Sequence, residues 1–244
     1  MSHRYAWASP LFGLLGLVLA PLASAQPIDL PEIPECTQLT PGAVSVDNTP
    51  VTLDLRVLLD GVSQARGQQL VNEAQAAFGP LGITLSASFE SVAFSSNLGS
   101  GLIAAAKAHY GGARPNGIDI VYVLTSKDIT DGGTSGNGLA GLADCIGGVA
   151  FGDRAFAVGE NIADSPLNLI VYQLGTQMAA NTLAHEVGHL LGGHHHYANC
   201  IEGMLPLGGA TCTLMFNFVD NQKLKFSSLN SLVVRGHTQL FAAP

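Results

Sequence analysis

The chain has 244 residues, 47% of them hydrophobic and only 11% charged, with 29 glycines. That length holds one sizeable domain or at most two small ones, and so apolar a composition excludes disorder as an overall description. Ten Lys plus Arg against eighteen Asp plus Glu leave a net charge of −8, which argues against an electrostatic grip on nucleic acid or an anionic membrane surface. Histidine is the unusual count, because five of the eight fall between His185 and His196.

At the N-terminus the apolar run from Leu11 to Ala20 is too short to span a bilayer. Arg4 precedes it and Ala23-Ser24-Ala25 follows as a small-x-small cleavage pattern, so residues 1–25 read as a signal peptide cut before Gln26. No later segment has transmembrane length, and the mature chain is expected to be soluble and exported, extracellular or periplasmic. Export places Cys36, Cys145, Cys200 and Cys212 where disulfides persist. Of the three connectivities, Cys200–Cys212 closes a short loop and leaves Cys36–Cys145 by elimination. The competing reading makes Cys36 a free thiol that caps a metal.

Residues 26–50 carry five prolines and no periodicity, the pattern of an extended arm laid over the surface of a folded body at 51–244. Period-two alternation predicts a strand over Val51–Leu59. Ala65, Leu70, Val71, Ala74, Ala77 and Phe78 have helical spacing over Gln64–Phe78, stopped by Gly79-Pro80. A second strand is expected over Ile83–Phe94, a small-residue helix over Leu98–Tyr110, and a buried strand over Ile118–Leu124. Alternating strands and helices imply an α/β layer with right-handed crossovers and partly parallel pairing. Asp131–Gly148 is Gly-rich without helical periodicity, Val149–Gly159 reads as one or two short strands, and Leu167–Leu174 is apolar but ambiguous. Gly136-x-Gly138-x-x-Gly141 matches a dinucleotide fingerprint only in letters, since no strand leads into it and no helix opens from it.

The chemistry lies in Asn181–Cys200, NTLAHEVGHLLGGHHHYANC. His185-Glu186-x-x-His189, with Gly192 and His195 after it, reads HExxHxxGxxH. On a helix, residues four apart differ by about 40° around the axis and about 6 Å along it, so His185 and His189 share a face and can share one cation. A catalytic zinc needs a third protein ligand from another direction. Gly192, able to take the left-handed conformation that ends a helix, turns the chain so that His195 swings back; His196 is the runner-up. Glu186 is then the general base for a zinc-activated water that attacks a peptide carbonyl, and not a ligand.

Over Thr182–His195 the residues resemble the metzincin zinc endopeptidases, and within them the reprolysin or adamalysin-like branch. Weaker similarity extends over most of Val51–Gly236. Gly138-Leu139-Ala140 with Cys145 looks like the edge-strand segment those enzymes lay along the substrate cleft, and Cys212-Thr213-Leu214-Met215 looks like the Met-turn beneath the zinc. Phe226-Ser227, opening a final helix to Gly236, is also similar. The resemblance implies a metzincin-like zincin catalytic domain: a twisted mixed α/β (α+β) sheet with an active-site helix and a C-terminal helix. It also implies one Zn2+ and protein or peptide substrates, taken as an added strand along an edge within Leu139–Phe151.

The chain departs from that pattern in three ways. His196 stands where reprolysins commonly have Asp, Cys212 sits three rather than two positions before Met215, and no long prodomain precedes the body. Met204 competes with Met215 for the Met-turn. The alternative function is a catalytically weak, zinc-stabilised protein-binding module of the same fold, against which the retention of Glu186 speaks. His109 and His237 read as cations at helix C-termini, and Asp128, Asp131 and Asp144 as solvated loop residues without a calcium-loop pattern. Oligomeric state and cleavage preference have no signature in the sequence.

Overall fold

The structure, a computed structural model, describes residues 33–37, 46–47, 49–130, 139–162, 178–198, 212–216 and 225–242. The segment read as a signal peptide lies outside these residues, as do Leu167–Leu174, Asp131, Gly136, Gly138, Cys200 and Met204.

Among the described residues five strands form one sheet: β1 (Val51–Asp60), β2 (Ile83–Val92), β3 (Ile120–Thr125), β4 (Gly141–Ala143) and β5 (Phe156–Glu160). Their order is β2-β1-β3-β5-β4. The pairings β1–β2, β1–β3 and β3–β5 are parallel, while β4 runs antiparallel to β5 at the edge. Four helices are described: α1 (Gln64–Phe78), α2 (Gly99–His109), α3 (Met178–Leu190) and α4 (Ser228–Phe241). This is the mixed α/β sheet expected, and its edge strand falls within 139–151.

Side-chain alternation in β3 explains why its sequence is apolar throughout. Ile120, Tyr122 and Leu124 join a core with α1, α3, Met215, Phe226 and Val234, whereas Val121 and Val123 pack on the opposite face with Leu102, Ile103 and Ala106 of α2. A strand covered on both faces has no polar side to show. Helix α1 starts at Ser63, whose hydroxyl accepts a hydrogen bond from the Arg66 N–H (3.3 Å), and turns Leu70, Val71, Ala74, Ala77 and Phe78 inward.

Besides shifts of one or two residues in β1, α2 and β3, three boundaries differ from the sequence reading. Strand β2 stops at Val92 rather than Phe94, because the Phe94 N–H leaves the ladder for the Asp60 carboxylate (3.1 Å). The expected 149–159 strand splits into a 3-10 turn at Gly148–Ala150 and β5. The last helix runs beyond Gly236 to Phe241, and His237, expected after the helix, is buried inside it. Burial of Val234 to Thr238, with the Thr238 hydroxyl donating to the Val234 carbonyl (2.7 Å), outweighs the roughly 1 kcal/mol that a mid-helix glycine costs.

The arm is fastened to this body at two described points. Cys36 is disulfide-bonded to Cys145, 109 positions away. Further on, buried Arg235 of α4 donates to the carbonyls of Asp47 and Thr49. Cys212 is also disulfide-bonded, while Cys200, the partner expected for it, lies outside the described residues. A loop of this length gives a cross-link a large effect on the unfolded chain, so replacing Cys36 and Cys145 together by alanine should lower unfolding stability by about 3 kcal/mol, read from the urea midpoint. An unchanged midpoint would mean that the arm is not covalently pinned.

Candidate zinc centre

Helix α3 is buried almost all round: Ala179–Ala184 and Glu186–Leu190 are buried, and His185 only partly exposed. Asn181, Thr182 and Gly188 are poor helix formers, so propensity does not hold it. Burying Leu183, Val187 and Leu190, about 1.5–3 kcal/mol each, does. Gly188 permits a close approach from below, since a Cβ there would lie 2.8 Å from Met215 Sδ and 2.9 Å from Phe226 Cε1. Met215 is fully buried in that position, beneath the helix and next to Gly193.

At the end of α3 the chain reverses at Gly192, which has φ +84°. Any side chain there would be strained by its backbone conformation and would also strike His237, whose Cε1 lies 2.3 Å from the Cβ position. The Gly192 and Gly193 N–H groups donate to the carbonyls of His189 and Gly188 (both 2.8 Å), closing the helix. The turn after it is held by α4: Asn230 accepts from the His194 N–H (2.9 Å) and donates to the His194 carbonyl (3.1 Å). His195 then begins a 3-10 turn over His195–Tyr197.

These constraints bring three imidazoles together. The Nε2 atoms of His185, His189 and His195 are 3.0 to 3.1 Å apart. His185 Nδ1 is 2.7 Å from the Leu214 carbonyl and His189 Nδ1 is 2.8 Å from the Gly193 carbonyl. A carbonyl can only accept, so each Nδ1 carries the proton and each Nε2 turns a lone pair to the common centre. Tetrahedral zinc with Zn–N of about 2.0–2.1 Å separates its nitrogens by about 3.3 Å, close to the observed spacing. The donor set therefore fits zinc. His196, the alternative third ligand, is exposed and outside the cluster.

Burial keeps the three rings neutral. It lowers His185 to about 4, with the neighbouring His195 adding to the effect, and it lowers His189 and His195 as well. Glu186 flanks the histidine face of the helix, about 60° around the axis from His189, with its carboxyl beside Gly141 and Ala143 of β4. It is 6% exposed, its Oε2 has no hydrogen-bond partner, and burial raises its carboxyl to about 8 against an opposing hydrogen bond from the Ala143 backbone.

The remaining sequence candidates lie elsewhere. His109 ends α2 and hydrogen-bonds Glu90 (2.7 Å), and Asp144 holds Lys107 (2.8 Å) and Arg154 (2.7 Å). Cys36 has no free thiol. The carbonyls of Leu214 and Gly193, the Asn230 amide and Glu35, which approaches His194 to 3.5 Å, have no sequence signal.

Because His185 titrates near 4 when folded and near 6.5 when unfolded, the unfolded chain binds more protons between those values. The metal-free protein should keep this stability above about pH 6.5 and lose it as pH falls to about 4, with saturating zinc raising Tm at neutral pH. Calorimetry with and without a chelator checks both; a metal-free Tm flat across that range would contradict the burial of neutral imidazoles.

The sequence model of the metallo-peptidase family M12B, reprolysin-like, matches residues 64–196, from the start of α1 through the third histidine. No curated protein matches the chain. Among solved structures, metalloproteinase-II from Bacteroides fragilis is 15% identical with a TM-score of 0.51, over 78% of this chain. The chain spans about half of that protein, 53% of its length. Archaemetzincin from Methanopyrus kandleri is 19% identical with a TM-score of 0.50, over 77% of this chain and 96% of that one. These two likenesses concern the fold. The family match covers more than half of the chain and ends on the three-histidine cluster, and the chain belongs to this family as a zinc-dependent metallopeptidase.

Proposed function

We propose that the chain is a secreted endopeptidase of the reprolysin or adamalysin-like branch, with His185, His189 and His195 as zinc ligands and Glu186 as general base. The observation that carries this reading is the state of Glu186. Its carboxyl flanks the histidine face of α3, buried, with one oxygen unpartnered. A carboxyl pushed up to about 8 is a strong proton acceptor once ionised, and a cation in the histidine cluster favours the ionised form.

Zinc bound by the three histidines supplies Lewis-acid chemistry, acidifying water and polarising a peptide carbonyl. Glu186 accepts at Oε2 the proton of the attacking water and returns it to the leaving amine nitrogen. The hydrogen bond from the Ala143 backbone holds the carboxyl against β4, so the base is positioned relative to the strand along which an extended substrate would add. Strand β4 pairs with β5 on one side, and no other described strand pairs with it, which leaves an edge for backbone recognition of a peptide with few side-chain demands. Burying His185 and His189 as neutral rings keeps both available as ligands well below neutral pH.

Export rests on the run Leu11–Ala20 and the Ala23-Ser24-Ala25 site, with residues 26–50 as an arm and 51–244 as the catalytic body. No described helix is long and apolar enough to cross a membrane. Proteins and peptides are the substrates that the family implies.

In a casein or gelatin assay, Glu186→Ala should lower kcat/KM by about 10²–10⁴-fold while zinc content stays at the wild-type level. Proteolysis that survives the substitution would remove Glu186 from the mechanism. The mass of the exported protein should correspond to a chain beginning at Gln26; a mass that retains residues 1–25 would remove the signal peptide.

A further inference from the structure

Residues 33–37 run beside the histidine cluster and are held there by a disulfide and a β-bridge. Cys36 is disulfide-bonded to Cys145, and Glu35 forms a parallel β-bridge with Ile146. The Ile146 N–H donates to the Pro34 carbonyl and the Cys36 N–H to the Ile146 carbonyl, both at 2.8 Å. Between this segment and the turn carrying the third histidine lies a cleft of about 250 Å³. Ile33, Pro34 and Ile146 form an apolar wall, His189 and His195 open it onto the metal centre, and Glu35 stands at its rim.

Two chemical features of this cleft select its occupant. Its volume is below the roughly 300 Å³ at which pockets for drug-sized ligands begin, so it suits one long side chain rather than a larger group. The charge at its rim is a carboxylate, Glu35, whose side chain is 40% exposed and whose nearest charged partner is His194 at 3.5 Å. Among the described residues no lysine or arginine lies within ion-pair distance of it. An aliphatic stem with a cationic end matches an apolar wall under an acidic rim. An acidic side chain would meet repulsion there, and an apolar one would leave the carboxylate unused.

We propose that the cleft between residues 33–37 and the third-histidine turn is a substrate subsite for a lysine or arginine side chain next to the scissile bond, with Glu35 as its specificity-determining residue. This rests on the endopeptidase reading above. The stem of the basic side chain lies on Ile33, Pro34 and Ile146 and its head meets Glu35. The chain's net charge of −8 favours the approach of cationic segments from a distance.

The test is digestion of a peptide library by the zinc-loaded full-length exported protein, with cleavage sites mapped by mass spectrometry, for wild type, Glu35→Gln and Glu35→Lys. Wild type should enrich Lys and Arg at one position beside the cut. For a matched peptide pair, Glu35→Gln should lower the ratio of kcat/KM for arginine over norleucine by about fivefold, the range of a partly exposed ion pair. Glu35→Lys should move the preference to Asp and Glu.

A second readout uses zinc-loaded Glu186→Gln, in which fluorescence anisotropy should give tighter binding of the arginine peptide, a difference that Glu35→Gln removes. Continued cleavage with no basic enrichment, or enrichment that survives both Glu35 substitutions, overturns the subsite and leaves the peptidase reading intact. A wild type that cuts nothing but binds arginine peptides in a Glu35-dependent way supports the subsite and overturns the peptidase reading.

Discussion

Three imidazole Nε2 atoms facing one another across 3.0 to 3.1 Å are the arrangement that the rest of this structure has to hold in place. Without a cation such an arrangement is unfavourable, because the rings are desolvated and cannot protonate near neutrality. The fold therefore fixes two of the rings from behind and the third through its backbone. Carbonyls from two different segments, Leu214 and Gly193, set the tautomers of His185 and His189, and Asn230 of α4 clamps the backbone just before His195. Met215 and Phe226 press on α3 at Gly188, so the helix cannot sink or rotate without a clash.

The sheet serves the same end at longer range. Parallel pairing of β1, β2, β3 and β5 packs α1 and α3 on one face and leaves β4 alone to run antiparallel at the edge. That reversal puts a short strand against Glu186, so base and edge strand are fixed relative to each other by the Ala143 hydrogen bond. Histidines and glutamate on adjoining faces of one buried helix set the base beside both the histidine cluster and β4.

The pairing of His185 and His189 was legible because ligand geometry on a helix is periodic, and α1 and β3 because their apolar patterns reflect one-sided and two-sided burial. Strand β4 was less so: three residues in a Gly-rich stretch carry no period, and the strand exists through its pairing with β5. The carbonyls that orient His185 and His189 leave no trace in sequence, since every residue has one. Gly236 reads as a helix stop with His237 after it, whereas tertiary burial carries α4 to Phe241. Glu35 stands in a Pro-rich stretch without periodicity, and nothing local indicates that a bridge to Ile146 brings it to His194.

The bond between Cys36 and Cys145 also separates covalent continuity from retention of the arm. Chain scission anywhere between Thr37 and Val51 would create a new N-terminus on the catalytic body, yet residues 33–36 would stay beside the histidines through sulfur. Such a nicked protein would run as one species without reductant and as two with it. Release of this wall of the cleft then requires both cutting and reduction, as well as loss of the bridge to Ile146.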